Sequence, residues 1–230
     1  MTSREVATRV NSKSVIILPV GAIEEHGPHL PLNTDCIQPM HVAERVAAKT
    51  GCFVAPLIPY GICTTTRDFP GTISLSFEAL SLIARDIISE LVRNGFRNII
   101  VLTGHAGREH MAALRVAAKE VVDRTRAKVM VLSDYDILYD QKVLPPEDGH
   151  AGKGETSRIL AERSELVKKK PPVGRNKLPQ YAMVPDSRPY WPGWTGAPRE
   201  ATASFGRNLD ELVVNSLVKL MKEMKRWKVK

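Results

Sequence analysis

The sequence has no apolar run approaching the ~20 residues that a membrane-spanning helix needs; its longest, residues 15–20 and 99–102, fall far short. Cysteine is scarce, and Cys36, Cys52 and Cys63 form an odd set with no Cys-x-x-Cys pair. That excludes a disulfide-stapled miniprotein and suits reduced thiols in a cytoplasm. The opening Met1-Thr2-Ser3-Arg4-Glu5 lacks a charged-then-apolar segment, so the expectation is a cytoplasmic protein, not an exported one. Internal repeats and low-complexity tracts are also missing, which leaves out collagen-like fibres and disordered tails.

What is present is ordinary globular material, 43% hydrophobic and 25% charged over 230 residues. A chain of this length makes about one domain and buries roughly 70–75% of its unfolded surface, so residues 1–230 are expected to form a single domain. The net charge of +8 is unevenly placed. Lys219, Lys222, Lys225, Arg226, Lys228 and Lys230 are opposed only by Glu223, so five of the eight net charges lie in the last twelve residues. Leu217, Leu220, Met221 and Met224 recur there at three- and four-residue spacing. A basic helix over 208–230 is therefore expected to dock that stripe and solvate its lysines. Nucleic acid or an anionic membrane is the alternative such a patch leaves open, and neither is expected as a partner.

Apolar runs and helical periods alternate along the chain. Strands are expected at 14–20, 53–58, 98–102 and 128–132. Helices are expected at 36–49 with Gly51 as C-terminal cap, at 76–93 opening on Ser76, and at 110–125, 155–164 and 208–227. Strand–helix alternation implies an α/β fold, a three-layer α/β/α sandwich with a mostly parallel sheet. Ligands of such sheets sit outside the carboxyl ends of the strands. Residues 168–200 hold seven prolines together with Tyr181, Tyr190, Trp191 and Trp194, and are expected to be an ordered covering loop.

The metal-capable side chains fall where that rule points. Glu24, Glu25, His26, His29 and Asp35 follow the first strand, His105 and His110 the third, and His150 and Glu155 the fourth. Neutral imidazoles gathered with carboxylates suit Zn²⁺, Mn²⁺ or Fe²⁺. In extended chain Glu24 and His26 turn the same way, and Pro28, Pro31 and Asn33-Thr34 supply the turn that returns Asp35.

Residues 18–35 (LPVGAIEEHGPHLPLNTD) resemble the opening signature of the creatininase (creatinine amidohydrolase) superfamily. Further segments resemble that superfamily's motifs in order: 69–75 (FPGTISL), 103–107 (TGHAG), 150–157 (HAGKGETS), and 196–202 (GAPREAT) with Gly206. The resemblance implies a creatininase-like hydrolase acting on C–N bonds of amides with one or two divalent ions (Fe²⁺, Zn²⁺ or Mn²⁺). Carried over residue by residue, Glu24 and His105 hold one ion, His26 the other, and Asp35 bridges them. His150 becomes the acid that protonates the departing nitrogen. Glu155 is a metal ligand, a partner of a histidine, or a negative charge at a helix start. Thr72, in the second motif, is assigned to substrate binding, and Glu25 to orienting a neighbour.

The departures concern the substrate. Creatinine-hydrolysing members complete the second metal site with a glutamate two residues after the third motif's histidine; here that residue is Gly107. The acidic and aromatic residues those enzymes place before His-Ala-Gly are replaced by Pro145, Pro146, Glu147, Asp148 and Gly149. Arg108, at the expected start of a helix, would suit a phosphate or carboxylate, or is a plain surface arginine. These features resemble a short archaeal-type branch that deformylates 2-amino-5-formylamino-6-ribosylaminopyrimidin-4(3H)-one 5′-monophosphate. Creatinine hydrolysis and peptide trimming in cofactor maturation are the alternatives within the family. A non-catalytic binding protein is the alternative outside enzymes. The expected partner is a small anionic amide, and the family implies a homo-oligomer.

Overall fold

The computed structural model describes residues 1–179 and 182–227; Tyr181, Lys228 and Lys230 lie outside the described residues. Four strands, β1 (Val15–Val20), β2 (Phe53–Val54), β3 (Asn98–Thr103) and β4 (Lys128–Ser133), form one sheet in the order β2-β1-β3-β4. Every pairing is parallel. Side chains alternate across each strand, and the central strands β1 and β3 are buried on both faces. Ile16, Leu18 and Val20 of β1 with Ile99 and Val101 of β3 pack against α3 (Phe77–Arg93) and α4 (Arg108–Arg124). Val15, Ile17, Ile100 and Leu102 pack the other way, against α2 (Thr34–Thr50) and α7 (Ala203–Arg226). This is the expected three-layer α/β/α sandwich.

The elements keep to the expected positions with informative shifts. The second strand is only Phe53–Val54 because Pro56 has no N–H to donate. The ladder resumes beyond it, where Ile58 N–H donates to Pro19 O and Gly21 N–H to Ile58 O. Helix α6 (Lys153–Glu162) starts two residues early and so puts Glu155 in its first turn. Helix α7 starts at Ala203 with Thr202 as its cap, not at 208, and its stripe of Leu217, Met221 and Met224 is buried. Gly206 brings α7 against α6, where a Cβ would strike the Ser157 carbonyl. Two short helices were not expected: α1 (Ser3–Arg9), which buries nothing, and α5 (Asp134–Asp140). Each opens on a capping box, Thr2 with Glu5 and Ser133 with Asp136.

Candidate metal centre

Three segments at the carboxyl edge of the sheet converge. The loop after β1 carries Glu24, Glu25 and His26, and it runs into the first turn of α2, where Asp35 sits near free backbone N–H groups that favour a carboxylate. The loop after β3 carries His105. The turn before α6 and its first helical turn carry His150 and Glu155. Asp35 lies between two imidazoles, with Oδ1 3.1 Å from His26 Nε2 and Oδ2 3.2 Å from His105 Nδ1.

The proton positions on those rings follow from their outer contacts. His105 Nε2 lies 2.9 Å from the Ile62 carbonyl, and His26 Nδ1 lies 3.0 Å from the Glu24 carbonyl. A carbonyl accepts only, so each of these nitrogens carries the hydrogen. The opposite nitrogens, His105 Nδ1 and His26 Nε2, then face carboxylates, a contact that needs a proton or a metal ion between the two. This is how proteins orient metal-binding histidines. Around His105 Nδ1 stand Glu24 Oε1 at 2.7 Å and Asp35 Oδ2 at 3.2 Å. Both oxygens are buried without a hydrogen-bond partner among the described residues. Around His26 Nε2 stand Asp35 Oδ1 and, at 3.6 Å, Glu155 Oε2; the donor atoms of this trio lie within 4.8 Å of one another.

The electrostatics carry the same signature. Burial works against charging His26, yet Asp35, Glu155 and Glu24 push it up to about 10. His105 is half-buried, which again works against its charge, yet Glu24 and Asp35 drive it well above the usual imidazole range. Burial would raise the Glu24 carboxyl, but His105, His150 and His26 hold it well below the carboxylate range. Glu155 is pushed up to about 7 by burial, against the pull of His26 and His150. The carboxylates thus demand positive charge between themselves and the rings. Divalent cations meet that demand with the same donors, so Glu24, Asp35 and His105 could hold one ion and His26, Asp35 and Glu155 a second. Gly107 contributes no ligand, because a Cβ there would run into the His105 ring. Glu155 is the third carboxylate within reach of His26 and Asp35.

His150 stands at the rim. Its Nε2 lies 2.6 Å from the Glu25 carbonyl and so carries the hydrogen, its Nδ1 is 3.8 Å from Glu24 Oε1, and its ring lies 4.3 Å from that of His26. Its pKa is raised: burial and His26 oppose its charge, and Glu24, Glu25 and Glu155 outweigh them. Glu25 bonds the Gly27 N–H at 2.8 Å and faces His150 Nε2 at 3.3 Å, an orienting position. A cavity of about 560 Å³ opens over these groups. Arg108, the first residue of α4, lines it and is exposed. Trp191, from the 168–200 segment, also lines it, with its ring 5.5 Å from that of His150.

Three expected residues are placed elsewhere. Thr72 is not among the residues lining the cavity; its hydroxyl accepts from the Glu25 N–H at 3.0 Å and so shapes the Glu24–His26 loop. His29 is fully buried, 2.9 Å from the Thr156 hydroxyl, and burial lowers it to about 4. His110 accepts from the Ile62 N–H and donates to the Thr103 hydroxyl, which in turn accepts from the His105 N–H. These two histidines fasten the loops and do not enter the centre. Two neighbours went unanticipated. Thr66 donates to Glu24 Oε2, and Cys63 lies beside Glu24 and His105, its thiol pushed up by burial. Nothing local in the second loop marked either one.

The family profile for creatinine amidohydrolase (creatininase) matches residues 1–221. The chain is 31% identical to the creatinine amidohydrolase of Pseudomonas putida, over 97% of this chain and 95% of that protein. It is 30% identical to the mycofactocin precursor peptide peptidase of Mycolicibacterium smegmatis, over 98% and 89% respectively. A solved structure described as Creatininase Mn superposes with a TM-score of 0.87 at 29% identity, covering 99% of this chain and 97% of that one.

Proposed function

We propose, on the premise that this chain belongs to the creatininase family, that it is a divalent-metal amidohydrolase opening a C–N bond of a small anionic amide. The observation that carries this reading is the pair of imidazole nitrogens, His105 Nδ1 and His26 Nε2, facing the two oxygens of Asp35. Glu24, Asp35 and His105 are assigned to one ion, and His26, Asp35 and Glu155 to the other. Two nitrogens and three carboxylates suit Mn²⁺, Zn²⁺ or Fe²⁺. Such a pair supplies Lewis-acid polarisation of a carbonyl and a nucleophile available at neutral pH. His150, held through Nε2 by the Glu25 carbonyl, keeps Nδ1 free to hand a proton to the departing nitrogen. Trp191 packs beside that ring. Glu155→Gln is expected to lower the bound metal by one equivalent while the Glu24–His105 half stays loaded; metal analysis of dialysed protein checks this.

The substrate proposed is the formamidopyrimidine nucleotide 2-amino-5-formylamino-6-ribosylaminopyrimidin-4(3H)-one 5′-monophosphate, with formate released. Arg108 supports an anionic substrate: it lines the cavity at the start of α4, where its guanidinium and the free N–H groups of the first turn both favour phosphate. Gly107 supports a substrate other than creatinine. A panel of this nucleotide, its dephosphorylated form, creatinine and a short peptide tests the assignment. The nucleotide is expected to release formate at least about 100-fold more efficiently than creatinine is opened. Arg108→Ala should raise KM about 10- to 100-fold for the phosphorylated compound, in line with losing a charge-assisted hydrogen bond, and leave the dephosphorylated one unchanged. Faster turnover of creatinine or peptide would overturn the substrate.

A further inference from the structure

A second group of ligand-type side chains lies away from the centre, where α2, α6 and α7 meet. His41 comes from α2, Glu162 is the last residue of α6, and Asp210 lies in α7. One donor atom from each falls within 4.8 Å of the others. The Glu162 side chain is only 3% exposed, and both of its oxygens lack a hydrogen-bond partner among the described residues. Its position at a helix C-terminus adds the repulsion of the unpaired carbonyls. Burial with no hydrogen-bond donor on either oxygen disfavours a carboxylate so placed.

The neighbours make the deficit worse. Arg158, fully buried, is paired with Asp134 at 2.7 Å and with Asp210 Oδ1 at 2.6 Å. Three carboxylates, Asp134, Asp210 and Glu162, therefore share one guanidinium, leaving a residual charge of two. Arg45 and Lys49 on α2 are both engaged by Glu211. His41 Nδ1 lies 3.8 Å from Glu162 Oε2, too far for a hydrogen bond. Two ligand atoms each about 2.1 Å from one ion stand roughly 3–4 Å apart. The His41 side chain is 35% exposed, which gives an ion a way in.

We propose that His41, Glu162 and Asp210 form a divalent-cation site, distinct from the centre at the sheet edge, that ties together the helices carrying Asp35 and Glu155. One imidazole nitrogen and two carboxylates suit Zn²⁺ or Mn²⁺. The competing arrangement is a proton held between Glu162 and Asp210. The test is equilibrium dialysis of the full chain against Zn²⁺ followed by metal analysis, for wild type, His41→Gln, Glu162→Gln and Asp35→Asn. Each of the first two variants is expected to bind one equivalent less than wild type and to lose the part of the Zn²⁺-dependent rise in melting temperature that this site contributes. His41→Gln should keep wild-type turnover. Asp35→Asn should lose the ions of the centre and retain this one, which separates the site from the proposed catalytic assignment. Equal Zn²⁺ content in wild type and His41→Gln would overturn the proposal, as would no bound ion in folded Asp35→Asn. His41→Gln keeps the test decisive if the buried Glu162→Gln does not fold.

Discussion

Asp35→Asn is expected to lower kcat/KM by at least about three orders of magnitude, roughly 4 kcal/mol of transition-state stabilisation, and to strip the centre of metal. The carboxylate faces both imidazole nitrogens, 3.1 Å from His26 and 3.2 Å from His105. An amide of the same shape keeps one acceptor oxygen and replaces the other with a donor that no cation tolerates. It also removes the negative charge that holds two cations side by side. The fold should survive, because the asparagine side chain fills the same volume as the aspartate it replaces in the first turn of α2. Turnover on the best substrate of the amide panel, metal content and circular dichroism measured on one preparation check the three parts together. Full activity in metal-free Asp35→Asn protein would contradict the metal assignment outright.

Arg158→Ala is expected to have the largest effect on stability of any single change outside the sheet. The guanidinium is fully buried and paired with Asp134, Asp210 and the Gln38 side-chain oxygen, which lies 3.0 Å away. Removing it leaves two carboxylates in a dry interface with no partner, a defect worth about 3–5 kcal/mol. For a chain of this size each kcal/mol moves the melting temperature by about 2–4 °C, so a drop of roughly 6–20 °C is predicted by calorimetry. Neutralising the carboxylates together with the arginine, as in Arg158→Met with Asp134→Asn and Asp210→Asn, should recover most of the loss, because the cost lies in the unpaired charge and not in the volume removed. Persistence of wild-type stability in Arg158→Ala would mean that water reaches this cluster. The same network touches the centre: Gln38 takes one bond from Arg158 and directs its amide at the Glu155 carbonyl, 3.4 Å away.

The α/β/α class and the placement of the site loops were legible because each strand carries an unbroken apolar run and each long helix a clear period; the strand order, set by pairing between distant segments, was not. The side chains that gather at the candidate centre were legible because most sit in contiguous motifs, with Glu24, His26 and Asp35 in one segment and His150 and Glu155 in another. What escaped lies beyond local pattern. Helices α1 and α5 are too short to show a period, although Thr2 with Glu5 and Ser133 with Asp136 carry the capping signature. Of the five histidines gathered at the sheet edge, His29 and His110 are indistinguishable by position from the other three. Only their contacts with the hydroxyls of Thr156 and Thr103 set them apart. Thr72 sits in a motif and yet serves a backbone N–H. The ionic cluster of Asp134, Arg158, Glu162 and Asp210 is assembled from three helices, so no stretch of sequence announces it.

The most direct test is anomalous diffraction from crystals grown with Mn²⁺ or Zn²⁺. Two peaks about 3.5–4 Å apart are predicted on either side of the Asp35 carboxylate, one touching Glu24 and His105, the other His26 and Glu155. A map with no peak against Asp35 would contradict the account.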